Sequence, residues 1–193
     1  MKIGIINYGA GNIQSIRFAI ERLGYEAVLS NDVKEIKAAD KLIFPGVGEA
    51  SSAMKMLKET GLDTLIPTLT QPVLGICLGM QLMCNHSEEG DTKGLGIFDV
   101  DIKRFENIVK VPQIGWNQIT GLGSKIFNDV KEGAYMYLVH SYYAPLSKET
   151  IATTEYGVQY ATALQKANFY GVQFHPEKSS TDGAKILENF LNL

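Results

Sequence analysis

The stretch from Pro72 to Met83 leaves the backbone few choices. Val73-Leu74-Gly75-Ile76 is a short apolar run behind a proline, the pattern of a fully buried strand. From Leu78 onward the spacing changes, and Leu78, Leu82 and Met83 recur at helical intervals. Cys77 stands at the junction, with Gly75 and Gly79 two residues to either side. A strand that turns directly into a helix strains the corner residue, and small neighbours make room for it. The segment therefore has the form of a nucleophile elbow with cysteine in place of serine. The helix beginning after Cys77 is expected to turn its free N–H groups and positive end toward the sulfur, which favours a thiolate. The Leu78 N–H faces the same space and is positioned to hold an oxyanion. The competing reading is a small buried hydrophobe, the usual fate of a free cysteine.

The flanking sequence repeats a strand–helix rhythm. Lys2 to Asn7 reads as a buried strand, and a tight loop leads into a helix with Ile13, Ile16, Phe18, Ile20 and Leu23 at helical spacing, stopped at Gly24. A strand over 26–29, a helix capped by Asp32, a strand over 41–44 and helical segments over 51–57 and 61–69 precede the cysteine elbow. This alternation predicts an open, mostly parallel α/β sheet covered on both faces. After Asn85 the pattern changes to short strand-like pieces at 95–98, 100–105, 112–119, 135–142, 151–156 and 161–165, read as a more antiparallel C-terminal half. A late core strand over 170–174 and a last helix over about 181–192 complete a single domain spanning 1–193. The cysteines, Cys77 and Cys84, are placed on one predicted helix about 10 Å apart, too far for a disulfide. The N-terminus reads as a first strand and not a signal peptide, and no apolar run suits a membrane span. A net charge of −3 with no basic stripe argues against nucleic-acid binding. Two unpaired thiols fit a reducing cytoplasm.

Ligands of open α/β sheets bind beyond the carboxyl ends of the strands. Four segments fall at or near such ends: Pro45 to Gly48, Cys77, Glu88 to Gly90, and His175 to Glu177. His175 follows an apolar strand and precedes a proline that forbids continuing the ladder. An imidazole there can take the thiol proton and later protonate a leaving amine, and Glu177 can hold its other nitrogen. The plainer alternative is an exposed turn. His86 reads as a helix-end surface residue, and His140, among aromatics, as structural or substrate-lining. Pro45-Gly46-Val47-Gly48 lacks the pattern of a phosphate loop, and Gly9-Ala10-Gly11 lacks the third glycine of a dinucleotide site, because position 14 is Gln. Backbone donation from Val47 and Gly48 is the better use of the first loop.

These motifs resemble those of the class I (triad) glutamine amidotransferases and, more narrowly, of glutaminase subunits of imidazole glycerol phosphate synthases. The matching stretches are 7–12, 45–48, 75–81, 87–90, 112–117, 139–142 and 173–179, in family order from end to end. The cysteine elbow and His175-Pro176-Glu177 belong to the whole class; Gly115-Trp116-Asn117 and Tyr8 to Asn12 point to the subunit. The chain departs at Asn7, where the family often has Asp, and at Gln113, where it often has His. Both positions are expected on the surface such subunits present to a partner.

The resemblance implies a flavodoxin-like α/β fold and a triad of Cys77, His175 and Glu177 that hydrolyses glutamine without cofactor or metal. It implies an oxyanion site at the backbone of Val47, Gly48 and Leu78. The substrate would be held by Gly48, Gln81, Glu89 and the segment His140, Ser141 and Tyr142. Ammonia would pass to a (β/α)8-barrel cyclase subunit in a heterodimer, with Asn12, Trp116 and Tyr137 at the interface, and the isolated subunit would be nearly inactive. The rival readings are a paralogue feeding ammonia to amidation of a bacterial surface sugar, another Cys-elbow α/β hydrolase or a chaperone-type protein, and a non-catalytic flavodoxin-like binding module.

Overall fold

The computed structural model describes residues 1–106 and 108–193. The chain opens with β1 (Ile3–Ile6), α1 (Ile13–Arg22), β2 (Ala27–Ser30), α2 (Val33–Lys37), β3 (Lys41–Phe44), α3 (Ala50–Glu59) and α4 (Leu62–Leu65). Then come β4 (Val73–Ile76), α5 (Leu78–Leu82), β5 (Cys84–Ser87), β6 (Thr92–Lys93), β7 (Phe98–Arg104), β8 (Gln113–Gln118) and β9 (Tyr135–His140). The last elements are β10 (Tyr142–Tyr143), β11 (Thr150–Glu155), β12 (Gln159–Lys166), β13 (Phe169–Val172) and α6 (Ser180–Leu191). Asp32 caps α2 as its sequence position predicts, its carboxylate accepting from the N–H groups of Lys34 and Glu35.

Seven strands form the central sheet in the order β11-β12-β13-β4-β3-β1-β2. The five from β13 to β2 run parallel, and β12 and β11 add an antiparallel edge. Buried strands alternate their side chains between the two faces. Leu42 and Phe44 of β3 join a core with α2, α3, α4 and α5, while Ile43 joins one with α1 and α6. Helices therefore cover both faces. A four-stranded sheet, β10-β7-β5-β6, and a β8–β9 hairpin sit beside this frame. The expected antiparallel half is thus partly an edge of the main sheet and partly two separate sheets.

Several local expectations are corrected. The helix after Cys77 ends at Leu82, so Cys84 opens β5 and does not lie on one helix with Cys77. Segment 94–98 turns back and binds residues 82–85 instead of forming the strand expected at 95–98, with Leu95 donating to Leu82 and Phe98 to Met83. His86 lies in β5, not at a helix end, and its Nε2 sits 2.8 Å from Asp91 Oδ1. The helix expected over 61–69 is α4 followed by a 3₁₀ turn at Ile66–Thr68. Gln113 is buried, not on a partner-facing surface, and its side-chain amide sits 3.0 Å from the Tyr160 hydroxyl.

Candidate active site

The cysteine elbow is built by close backbone approach. Cys77 has φ 54° and ψ −112°, a conformation that costs a non-glycine residue about 1–3 kcal/mol. A Cβ at Gly79 would collide with the Phe44 carbonyl, and one at Gly46 with the backbone of Leu78 and Gly79. The loop after β3 and the start of α5 can therefore lie in direct contact only because both are glycine there. That contact brings Val47 and Gly48 to the cysteine. Gly48, at φ +93°, holds a backbone shape that side chains rarely adopt. Leu78 opens α5, so its N–H has no partner within the helix. Because α5 spans five residues, its macrodipole is small, and the sulfur's support comes mainly from individual groups.

The imidazole arrives from the next strand over. β4 and β13 are parallel neighbours with Ile76 opposite Val172, and the Cys77 N–H donates to the Val172 carbonyl at 2.8 Å. Three residues beyond β13, the His175 N–H donates to the Tyr137 carbonyl at 2.9 Å, which fastens the histidine loop to β9. The Tyr137 N–H in turn donates to Ser179 Oγ at 2.9 Å. Sulfur and imidazole, 98 positions apart in sequence, thus reach one site through the pairing of β4 with β13 and the fastening of the histidine loop to β9.

His175 Nδ1 lies 2.9 Å from Glu177 Oε1, with both side chains almost fully buried. Burial works against a charged imidazole, but contacts with Cys77 and Glu177 outweigh it and push the His175 pKa up to about 10. Such an imidazole binds its proton firmly beside the sulfur. The Glu177 contact uses Nδ1 and leaves Nε2 free for chemistry. Glu177 Oε2 is buried without a hydrogen-bond partner among the described residues.

A cavity of about 540 Å³ opens over the sulfur, within the usual range for small-molecule sites. Asn12, Val47, Gly48, Cys77, Leu78, Gln81, Glu89 and His175 line it. His140, Ser141 and Tyr142 line it as well. Glu89 comes not from the central sheet but from the β5–β6 turn, and its Oε2 accepts from the Ala50 N–H at 2.9 Å. Burial raises the Glu89 pKa, against the opposing effect of that bond. His140 is held neutral, its pKa pushed down to about 4 chiefly by burial. Asn12, expected at an interface, lines the cavity, and its Oδ1 accepts from Ser15 Oγ.

Trp116 and Tyr137 lie outside this cavity, paired across the β8–β9 hairpin with their rings edge to face at 6.0 Å. Trp116 is 52% exposed, and Ile114 and Tyr135 are exposed on the same hairpin. Pro112, Val139, Lys178 and Gln173 were not singled out as site residues by the sequence. The first three line the cavity, and Gln173 Nε2 lies 3.7 Å from Cys77 Sγ. A glutamine inside the apolar run from Tyr170 to Phe174 was the available signal for the last. Among the described residues no helix is long and apolar enough to cross a membrane, and no cluster of His, Cys, Asp and Glu could hold a metal ion.

Residues 4–193 match the family model of class-I glutamine amidotransferases. The chain is 54% identical to the imidazole glycerol phosphate synthase subunit HisH of Bacteroides fragilis, over the full length of both. It is 47% identical to the subunit of that name from Pectobacterium atrosepticum, again over both full lengths. Its fold is similar to that of PurLQS from Thermotoga maritima, with a TM-score of 0.73 at 15% identity over 99% of this chain and 97% of that one.

Proposed function

The chain belongs to the class-I glutamine amidotransferases, and from that premise we propose that it is the glutaminase subunit of an imidazole glycerol phosphate synthase, acting in histidine biosynthesis. The observation that carries the chemistry is His175 held between Cys77 and Glu177, with Cys77 and His175 lining an open cavity.

The Cys77 sulfur, its proton passed to His175, attacks the side-chain amide carbon of glutamine. The oxygen that becomes negative would be held by backbone N–H groups of Val47 or Gly48 and of Leu78. As the carbon–nitrogen bond breaks, His175 gives its proton to the leaving nitrogen, and ammonia departs from a thioester. His175 then takes a proton from water, whose attack releases glutamate and restores the thiol. Glu177 fixes the ring orientation and supports its positive charge. Glu89 is the partner for the substrate ammonium, whose charge offsets the burial of the carboxylate. Gln81 has both amide hydrogens committed inside the wall, to the Tyr142 carbonyl and to Gln173 Oε1, so Oε1 is the atom it has left for substrate. Backbone between His140 and Tyr142 takes the substrate's carboxylate end.

Ammonia becomes ammonium in water near neutral pH and then cannot attack, so the product is best handed directly to a synthase. We assign that role to a (β/α)8-barrel cyclase subunit docked as a heterodimer, with Trp116 and Tyr137 in the interface and Asn12 at its edge. The exposed Ile114, Trp116 and Tyr135 support this, since aromatic residues are enriched at the cores of such surfaces. A single amidotransferase domain over 1–193 and a reducing cytoplasm complete the reading. The test is glutamate release by the purified chain, alone and with a cyclase and its ribonucleotide ligand. Little release alone, strong release in the complex and none from Cys77→Ala are expected. Release that survives Cys77→Ala would overturn the assignment.

A further inference from the structure

Gln173 is fully buried one residue beyond β13, and nothing in the triad chemistry uses it. Its carboxamide touches the nucleophile at one end and the substrate-cavity wall at the other. Which end carries the hydrogens can be worked out from its neighbours. The Tyr142 carbonyl only accepts, so the Gln81 atom 3.0 Å from it is the NH2 nitrogen. His140 Nδ1 lies 2.8 Å from the same carbonyl, and a neutral His140 carries its proton there. The second hydrogen on Gln81 Nε2 then points at Gln173, 2.8 Å away, which must present Oε1. Gln173 Nε2 is left facing Cys77 Sγ at 3.7 Å, a hydrogen-bonding distance for the larger sulfur atom. A carboxamide turned the other way would set two NH2 groups against each other and aim an oxygen at a developing anion. The donor direction is therefore fixed by the fold and does not depend on substrate.

We infer that Gln173 is a catalytic residue that donates a hydrogen bond to the Cys77 sulfur, stabilising its thiolate and aiming it into the cavity, in an orientation imposed by Gln81 and the Tyr142 carbonyl. This rests on Cys77 being the nucleophile of glutamine hydrolysis. It also gives Gln81 a second duty, since the residue beside the substrate holds the group beside the sulfur.

The reactive sulfur is read by the pH dependence of iodoacetamide alkylation, with peptide mapping to count Cys77 alone and not the buried Cys84. His175, backed by Glu177, and Tyr8 act electrostatically with Cys77, while Glu89, His140 and Lys178 line the same cavity. These groups are common to both chains, so the comparison isolates position 173. Gln173→Met keeps the bulk and removes the donor. Its alkylation midpoint should lie about one pH unit above that of the unsubstituted chain. An unchanged or lower midpoint overturns the inference. A second measurement needs no variant: the assigned Gln173 side-chain amide protons should shift as Cys77 titrates. Amide protons that stay fixed through that titration overturn it equally. Glutamate release by the complex is measured in parallel. Its absence would remove the glutaminase reading, while the titrations would still judge the contact.

Discussion

At the scale of single residues, the site depends on charge held where water is excluded. Glu177 has no exposed side-chain surface and spends one oxygen on His175. A buried carboxylate is costly unless it is paired, and the imidazolium is its only partner among the described residues. Gln at this position keeps the volume and an acceptor for Nδ1 but removes the charge. Glu177→Gln should therefore lower kcat for glutamine hydrolysis by about 10²–10³-fold with little change in KM. It should also let the His175 ring lose its proton at lower pH, read from its ring-proton resonances. An unaltered ring titration would mean that Glu177 does not support the charge. Cys77, His175 and Glu177 stood out in the sequence because each sits beside a breaker: two glycines for the cysteine, a proline for the pair. Gln173 was not, because an amide in an apolar strand says that a partner exists without saying which.

At the scale of elements, the controlling unit is β4–Cys77–α5 set against the loop after β3. The strands at 41–44 and 73–76 lie where their apolar runs predict, since a buried strand needs little more than such a run and a breaker. The length of α5 was not predictable in the same way. Met83 and Cys84 would suit a longer helix, but residues 94–98 return to bind 82–85, and that pairing replaces helical bonds with strand bonds. The elbow tolerates little added bulk. In Gly79→Ala the new methyl group meets the Phe44 carbonyl, which is backbone and cannot rotate away. We expect a loss of about 1–3 kcal/mol in urea unfolding, with glutaminase activity lost beyond what instability explains. Wild-type stability in this variant would show that the two segments are not in the contact described.

At the scale of the whole molecule, two cores share one sheet, and the buried polar network around His140 ties the hairpin to the cavity. His140 has its pKa pushed from 6.5 down to about 4 in the folded chain. Its neutral form therefore favours folding above pH 6.5, and that contribution is lost as pH falls toward 4, where the unfolded chain takes up the proton first. His175 is shifted upward, so its contribution is present below pH 6.5 and is lost as pH rises through about 10. Between pH 7 and 5 the wild-type chain should lose about 2 kcal/mol more than His140→Gln does, measured by urea unfolding at both pH values. Equal losses would show that His140 accepts its proton without penalty in the folded state.

The sequence by itself determined the kind of sheet, the corner at Cys77 and the residues able to carry the chemistry. Those depend on periodicity, breakers and side-chain type, all of which act over a few residues. Only the tertiary structure decided that β13 lies beside β4, that Glu89 comes from a separate small sheet, that Gln113 is buried, and that Gln173 faces the sulfur. Each of those is a contact between segments far apart in the chain. Such contacts are settled by which strands pair and which polar groups must be satisfied once water has left, and no short window of sequence holds both partners.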